Sequence, residues 1–203
     1  MDTMRLFVAV DTPPEVRREL VRVRDDLRRF GADVRWEPDG KLHCTLKFLG
    51  DVPERILPAL GDALAATAAA TSPMEVRYAG VGCFPDIRRP KIVWAGMRSG
   101  GLAALAESVD ITCAGFGMTR EQRPFHPHVT LGRVKSLVSS DDLLSRIESV
   151  TFESPTVMIR EILLVRSTLK PSGSVYSTVR SFPLGSGESG RNVSENEGTS
   201  SIR

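Results

Sequence analysis

The stretch LHCTLKFLG, from Leu42 to Gly50, sets polar residues into what otherwise has the composition of a buried strand. Successive side chains of a strand point to opposite faces. One predicted face is polar and consists of His43, Thr45 and Lys47. The other is apolar and consists of Cys44, Leu46 and Phe48. We therefore expect Phe48 to pack into the core, and His43 and Thr45 to face outward with Lys47 at a solvated rim.

A second stretch, PHVTLGR from Pro127 to Arg133, repeats the same pattern. His128 and Thr130 fall on one face of its predicted strand, so each motif presents a histidine and a threonine about 7 Å apart along the backbone. A single H-x-T-L is a weak signal, because a histidine in a strand is usually structural. Two copies in a chain with only three histidines favour a functional pair.

The order of predicted elements around the two motifs is also repeated. Arg5 and His43 are 38 positions apart, and Lys91 and His128 are 37 apart. Each half has a β-α-β-α-β pattern with its motif on the middle strand, and STLKPSGSVYSTVRSF near the end predicts a hairpin around a Pro-Ser-Gly turn. The sequence predicts an α+β protein with two pseudo-symmetric halves around a central cleft.

Composition narrows the class of protein further. The net charge is only +2, from 27 basic and 25 acidic residues among 203, so the chain is not a polycation. The cysteines Cys44, Cys83 and Cys113 form no CxxC and argue against a disulfide framework or a zinc site. The chain has no apolar run of the roughly 20 residues that span a bilayer, and no signal peptide is recognisable at its start. We expect a cytoplasmic monomer with no membrane partner.

The end of the chain differs in composition from the rest. Residues 185–203 are rich in Gly, Ser, Glu and Asn, and such a segment buries too little apolar surface to offset its ordering entropy. We expect a single catalytic domain over residues 1–184 and a disordered tail over 185–203.

Two histidine–threonine pairs suit an in-line displacement at phosphorus. A neutral imidazole can take a proton from an attacking water, while a protonated one gives a proton to the leaving oxygen on the opposite side. The hydroxyls of Thr45 and Thr130 can donate to the oxygens on which charge accumulates. This scheme requires neither a metal nor a cofactor. The residues alone leave open whether His43 or His128 is the acid.

Four segments together resemble the 2H phosphoesterases, and within them the RNA 2',3'-cyclic phosphodiesterases, also called 2'-5' RNA ligases. These segments are WEPDGKLHCTLKFLG, RPKIVWAG, RPFHPHVTLGR and STLKPSGSVYSTV. The resemblance runs from about Arg5 to Leu184 and implies a bilobal fold with a central cleft. It also implies hydrolysis of a 2',3'-cyclic phosphate to a 2'-phosphomonoester. By this resemblance His43 is the proton donor, His128 the proton acceptor, and Thr45 and Thr130 bind the phosphate.

Other residues near the motifs are candidates for the site or for a purely structural role. Arg133 is a candidate for substrate binding, but its strand parity is opposite to that of His128, and only a β-bulge at Gly132 would turn it inward. A metal pair of His126 and His128 lacks acidic or cysteine ligands nearby in sequence. Tyr176 lies where the family also carries an aromatic residue, with edge packing as the simpler interpretation.

The partner predicted by this interpretation is an RNA end with a 2',3'-cyclic phosphate, or a small cyclic nucleotide. Ligation is the reverse reaction, and water at about 55 M should favour hydrolysis. Two alternatives remain. One is a 2H phosphoesterase for another cyclic phosphate, such as ADP-ribose 1'',2''-cyclic phosphate, and the other is a non-catalytic RNA-end-binding protein.

Overall fold

The computed structural model of the chain describes residues 2–136, 141–171 and 173–185. Its strands are β1 Thr3–Asp11, β2 Val34–Trp36, β3 His43–Pro53, β4 Met74–Phe84, β5 Ile92–Arg98, β6 His128–Val134, β7 Val157–Ile159, β8 Glu161–Lys170 and β9 Gly173–Pro183. Its α-helices are α1 Pro14–Arg28, α2 Leu57–Ala69, α3 Leu102–Ala114 and α4 Asp141–Ser149. The predicted cap of α4 at Ser139 or Ser140 and nearly all of the predicted tail lie outside these residues.

Two antiparallel sheets form the two lobes, and the predicted α+β class is confirmed. The first sheet has the strand order β3-β1-β8-β9, and the second has the order β2-β6-β5-β4-β7. The lobes are not the two halves of the sequence. Strand β4 ends the first half but pairs with β5 in the second sheet, and β8 ends the second half but pairs with β1 in the first.

The two helices of each half of the sequence are also divided between the lobes. Helices α2 and α3 pack on the first sheet, whereas α1 and α4 pack on the second. Each helix contributes buried leucines to one continuous hydrophobic core, including Leu20, Leu64, Leu105 and Leu143. Because burial of apolar surface drives folding, this exchange ties the two halves of the sequence into a shared core. None of the helices in the described ranges is both long and apolar enough to cross a membrane.

A β-bulge in β3 reverses the side-chain alternation predicted for the first motif. Ala9 pairs with Thr45 and Val8 pairs with Lys47, so Leu46 is an extra residue on β3. An extra residue inverts the faces of the residues that follow it. The predictions for the two residues beyond it were therefore wrong: Lys47 is buried at 7% exposure, and Phe48 is 68% exposed.

A second β-bulge occupies the matching place in β6. Trp94 pairs with Thr130 and Val93 pairs with Gly132, which leaves Leu131 as the extra residue. The bulge returns Arg133 to the face of His128 and Thr130, although it lies at Leu131 and not at Gly132, the position considered from the sequence. Both H-x-T-L motifs thus bulge at their leucine, and Phe48 and Arg133 occupy equivalent positions, five residues after each histidine.

Candidate active site

A backbone group two residues earlier acts on each motif histidine. Nδ1 of His128 lies 2.7 Å from the backbone carbonyl oxygen of His126. The backbone of Lys41 likewise raises the pKa of His43, against the larger lowering by burial. A ring nitrogen that donates to a carbonyl keeps its hydrogen, so the other nitrogen of His128 is the one that can exchange a proton. In His43, Nε2 lies 3.1 Å from Oγ1 of Thr45.

Aromatic rings cover each imidazole. The His43 ring stacks on Phe7 at a centroid distance of 5.0 Å and meets the edge of Tyr176 at 5.5 Å. The His128 ring meets Phe84 edge to face at 4.9 Å. These rings orient the imidazoles and shield them from water, which disfavours the charged form.

The pKa values of both histidines respond to this shielding. Burial lowers the pKa of His43 to about 4, against the opposing effects of the Lys41 backbone and Asp11. The charge of His128 contributes to the same lowering, which places the two imidazoles within electrostatic reach of each other. Burial also lowers the pKa of His128, although its hydrogen bond to the His126 carbonyl opposes the change.

The two motif strands approach each other at their histidine ends. The buried thiol of Cys44, next to His43, lies beside the backbone of His128 in the other sheet. Burial raises the pKa of this thiol to about 12, so the cysteine remains protonated and acts as a contact between the strands. The structure therefore places His43 and His128 within range of each other's charge, with Thr45 and Thr130 on the same strand faces as their histidines.

Arg133 also lies at this cleft. Its Nε is 3.3 Å from Oε1 of Glu37, and its charge contributes to the lowered pKa of His128. Across the cleft, burial and the charge of Glu37 raise the pKa of Tyr176, while Arg133 opposes that rise. Tyr176 belongs to the first sheet and Arg133 to the second, so the two lobes come within range of each other's charges here.

A cavity of about 260 Å³ opens beside His43 on the concave face of the first sheet. Phe7 and Tyr176 supply aromatic walls, and Asp11 and Arg17, which form a 2.7 Å ion pair, supply charged groups. Aromatic walls combined with a few charged and polar groups are typical of a site for a small organic molecule. Its position next to His43 makes it suited to the group attached to a reacting phosphate.

Several residues around the site were not predicted. Phe7 and Phe84 lie on β1 and β4, far in sequence from either motif, and only the strand pairing reveals that they face the histidines. The third histidine, His126, packs edge to face on Phe84 at 5.6 Å. Among the residues the structure describes, no three His, Cys, Asp or Glu side chains cluster as metal ligands.

Comparison with known proteins gives consistent matches over most of the chain. The model of the LigT-like phosphoesterases matches residues 10–94 and 97–176. An RNA 2',3'-cyclic phosphodiesterase of Thermus thermophilus is 37% identical, over 96% of this chain and 97% of its own. An RNA 2',3'-cyclic phosphodiesterase from Methanothermobacter thermautotrophicus is 33% identical, over 89% of this chain and 99% of its own length.

Solved structures agree with the sequence matches. The protein TT0787 of Thermus thermophilus superposes with a TM-score of 0.77 at 30% identity, covering 91% of this chain and all of its own. Escherichia coli LigT, solved with 3'-AMP, superposes with a TM-score of 0.72 at 26% identity, covering 90% of this chain and 99% of its own. On the family match and these relatives, the chain belongs to the LigT-like phosphoesterases of the 2H superfamily, as the resemblance of its motifs had indicated.

Proposed function

We propose that this protein hydrolyses RNA 2',3'-cyclic phosphate ends to 2'-phosphomonoesters by metal-independent acid–base catalysis. The observation that carries the proposal is the duplicated arrangement of His43 and His128. In each motif a backbone group two residues before the histidine raises the pKa of its imidazole, and a threonine follows on the same face of the strand. The relatives named as RNA 2',3'-cyclic phosphodiesterases support the choice of substrate.

In the proposed reaction, neutral His128 accepts a proton from a water molecule as the water oxygen bonds to phosphorus. The bond from phosphorus to O3' breaks, and protonated His43 donates its proton to O3'. The phosphate remains on O2'. Thr45 and Thr130 donate hydrogen bonds to the non-bridging oxygens, and the guanidinium of Arg133 supplies positive charge to them. The family resemblance supplies this assignment of acid and base.

The low pKa of His43 requires a source for its proton. Near neutral pH a histidine with a pKa of about 4 is mostly uncharged. The bound cyclic phosphate carries a negative charge, and an opposite charge within a few ångströms raises the pKa of an imidazole. Substrate binding therefore promotes protonation of the group that serves as the acid, and the unliganded enzyme holds little of its active protonation state.

The proposal is tested with a panel of substrates. Purified protein, treated with EDTA, is incubated with 2',3'-cyclic AMP, an oligonucleotide ending in a 2',3'-cyclic phosphate, and ADP-ribose 1'',2''-cyclic phosphate. We expect the two 2',3'-cyclic phosphates to give only 2'-phosphates at full rate. Loss of activity on chelation, with recovery on adding a divalent ion, would refute the metal-independent mechanism.

The same panel separates the alternatives. Faster turnover of the ADP-ribose derivative than of the two 2',3'-cyclic phosphates would favour the first alternative, a 2H phosphoesterase that acts on another cyclic phosphate. Binding of cyclic-phosphate RNA ends without any product would favour the RNA-end-binding protein. Adding an RNA with a free 5'-hydroxyl tests 2'-5' ligation, which we expect to be slower than hydrolysis because water is in large excess.

Three further features complete the proposal: a cytoplasmic location, a monomeric state, and one catalytic domain over residues 1–184 followed by a tail. Cys44, Cys83 and Cys113 are free and buried, which fits a reducing compartment.

The amide of Gly185 donates to the carbonyl of Ala68 at 3.0 Å, so the chain still packs on α2 at the first residue assigned to the tail.

A further inference from the structure

Phe48 is an exposed aromatic residue at the edge of the catalytic cleft. Its 68% exposure is the highest among the large hydrophobic residues that the structure describes. The bulge at Leu46 places it on the face of His43, at the position equivalent to Arg133 in the second motif. Its ring is 5.9 Å from that of Phe7, which itself stacks on His43. The exposed ring is therefore continuous with the aromatic wall of the site.

A cavity of about 390 Å³ begins at Phe48 and extends away from the catalytic residues. Its lining comes from the end of β3 and from the loop that follows α3, with Phe116, Met118 and Thr119 opposite Phe48. None of the five candidate site residues lines this cavity. An occupant must therefore lie farther from the reacting phosphate than the group held in the cavity beside His43.

A buried ion pair holds the far wall of the cavity in place. Nζ of Lys47 pairs with the carboxylate of Asp110 on α3 and donates to the carbonyl oxygen of Thr119 at 2.6 Å. The same carboxylate accepts the backbone amide of Glu121 at 3.2 Å. Lys47 is thus turned away from the cleft by the bulge that exposes Phe48, and it fixes the loop opposite Phe48.

The chemistry of this cavity suits a nucleobase. Single-stranded RNA is held by stacking of its bases on aromatic side chains, and a flat base fits between a phenyl ring and a flexible methionine. The cavity also includes Asp51, whose carboxylate only accepts hydrogen bonds when ionised. Such a group matches the amino groups of a base and repels a phosphate.

We propose that the cavity between Phe48 and Phe116 binds the nucleobase of the penultimate nucleotide of the RNA substrate. This inference rests on the proposed function, because it assigns the terminal nucleoside to the cavity beside His43. It gives the enzyme a preference for RNA ends over cyclic mononucleotides that the catalytic residues alone do not provide.

The test compares 2',3'-cyclic AMP with the dinucleotide ApA carrying a terminal 2',3'-cyclic phosphate, and with the same dinucleotide lacking its first base. For the wild type we expect kcat/KM to be higher for the intact dinucleotide than for either of the others. In Phe48→Ala the ratio of dinucleotide to mononucleotide kcat/KM should fall by about 5- to 100-fold, the range for loss of one stacked base. Phe48→Trp should retain the ratio, and Leu169→Ala, a control at 67% exposure, should not change it.

Calorimetric binding of ApA 2'-phosphate and of its abasic analogue provides a readout that needs no turnover. Weaker binding of the intact ligand by Phe48→Ala, with no change for the abasic ligand, supports the subsite. Equal kcat/KM for the intact and abasic dinucleotides in the wild type, or an unchanged ratio in Phe48→Ala, overturns it while the proposed function stands. If the enzyme hydrolyses none of the three substrates, the proposed function itself is refuted.

Discussion

The thiol of Cys44 lies beside the backbone of His128, at a place where the two motif strands meet across the boundary between the sheets. Cys44 precedes Thr45 and follows His43, so the contact lies beside both members of the first motif. Packing of β3 against β6 holds the two imidazoles at a spacing at which their charges interact. Acid–base catalysis on one phosphate depends on that spacing, because the acid and the base must reach opposite sides of the phosphorus.

The paired histidines should both be essential. His43→Ala and His128→Ala remove the acid and the base of the proposed reaction, and each should lower kcat by about 10²–10⁴-fold. Steady-state hydrolysis of 2',3'-cyclic AMP measures the loss, and circular dichroism checks that the variants fold. His126→Ala removes the third imidazole but keeps the carbonyl that anchors His128, and should cost less than about tenfold. Wild-type rates in either motif variant would disprove the pairing.

The pH dependence should reflect the low pKa values of the histidines. The acid must be protonated, so kcat/KM falls as pH rises above about 4, the pKa of His43 in the free enzyme. The base must be neutral, so activity also falls as pH drops below the pKa of His128, which lies under the ordinary value of 6.5. We expect a bell-shaped profile of kcat/KM with its maximum at acidic pH, well below neutrality.

The profile of kcat should be displaced from that of kcat/KM. The kcat profile reports the complex with substrate, in which the phosphate charge raises the pKa of His43. Its maximum should therefore lie at higher pH. A maximum of kcat/KM above neutral pH, or identical profiles for both constants, would contradict this account.

Removal of the threonine hydroxyls should affect the transition state more than substrate binding. Valine has nearly the shape of threonine but donates no hydrogen bond, so Thr45→Val and Thr130→Val each delete one donor to the phosphate. Loss of one preorganised donor to a developing charge typically costs about 10²–10³-fold in kcat. Kinetics with 2',3'-cyclic AMP should show this loss mainly in kcat, with Thr71→Val, just after α2, as a matched control. An effect on KM alone would assign the hydroxyls to ground-state binding.

Arg133 has two separable effects that one substitution can measure. Arg133→Gln removes a charge that binds phosphate and lowers the pKa of His128. We expect KM to rise, and the acidic limb of the kcat/KM profile to move to higher pH as the pKa of His128 recovers. Arg133→Lys keeps the charge and should leave the acidic limb near its wild-type position. If Arg133→Gln and Arg133→Lys have their acidic limbs at the same pH, the charge of Arg133 does not act on His128.

The buried pair of Lys47 and Asp110 should be important for stability. Breaking a buried ion pair by removing one partner leaves an uncompensated charge, which typically costs about 3–5 kcal/mol. Asp110→Leu leaves the buried Lys47 without a carboxylate partner and should lower the free energy of unfolding by this order, as measured by urea denaturation. Lys47→Met should cost less, because Arg120 still pairs with Asp110. The double variant should be more stable than the sum of the single effects predicts, because it leaves neither charge unpaired. Additive losses would show that the two side chains do not depend on each other.

Much of the site was predictable because strand periodicity is a local property. The alternation in Leu42–Gly50 and in Pro127–Arg133 was sufficient to group each histidine with its threonine. The repeated order of elements indicated that the two motifs occupy equivalent places in the fold. These inferences need only the sequence of a few neighbouring residues and the period of a strand.

The tertiary structure alone decided the residues just beyond each motif. A bulge depends on the pairing of a strand with its neighbour, here β1 for Leu46 and β5 for Leu131, and neither motif encodes that pairing. The bulges buried Lys47, exposed Phe48 and turned Arg133 to the cleft. The exchange of β4 and β8 between the sheets likewise depends on which long-range pairs bury the most apolar surface. The sequence thus indicated the groups proposed for catalysis, whereas strand pairing determined which other side chains lie beside them.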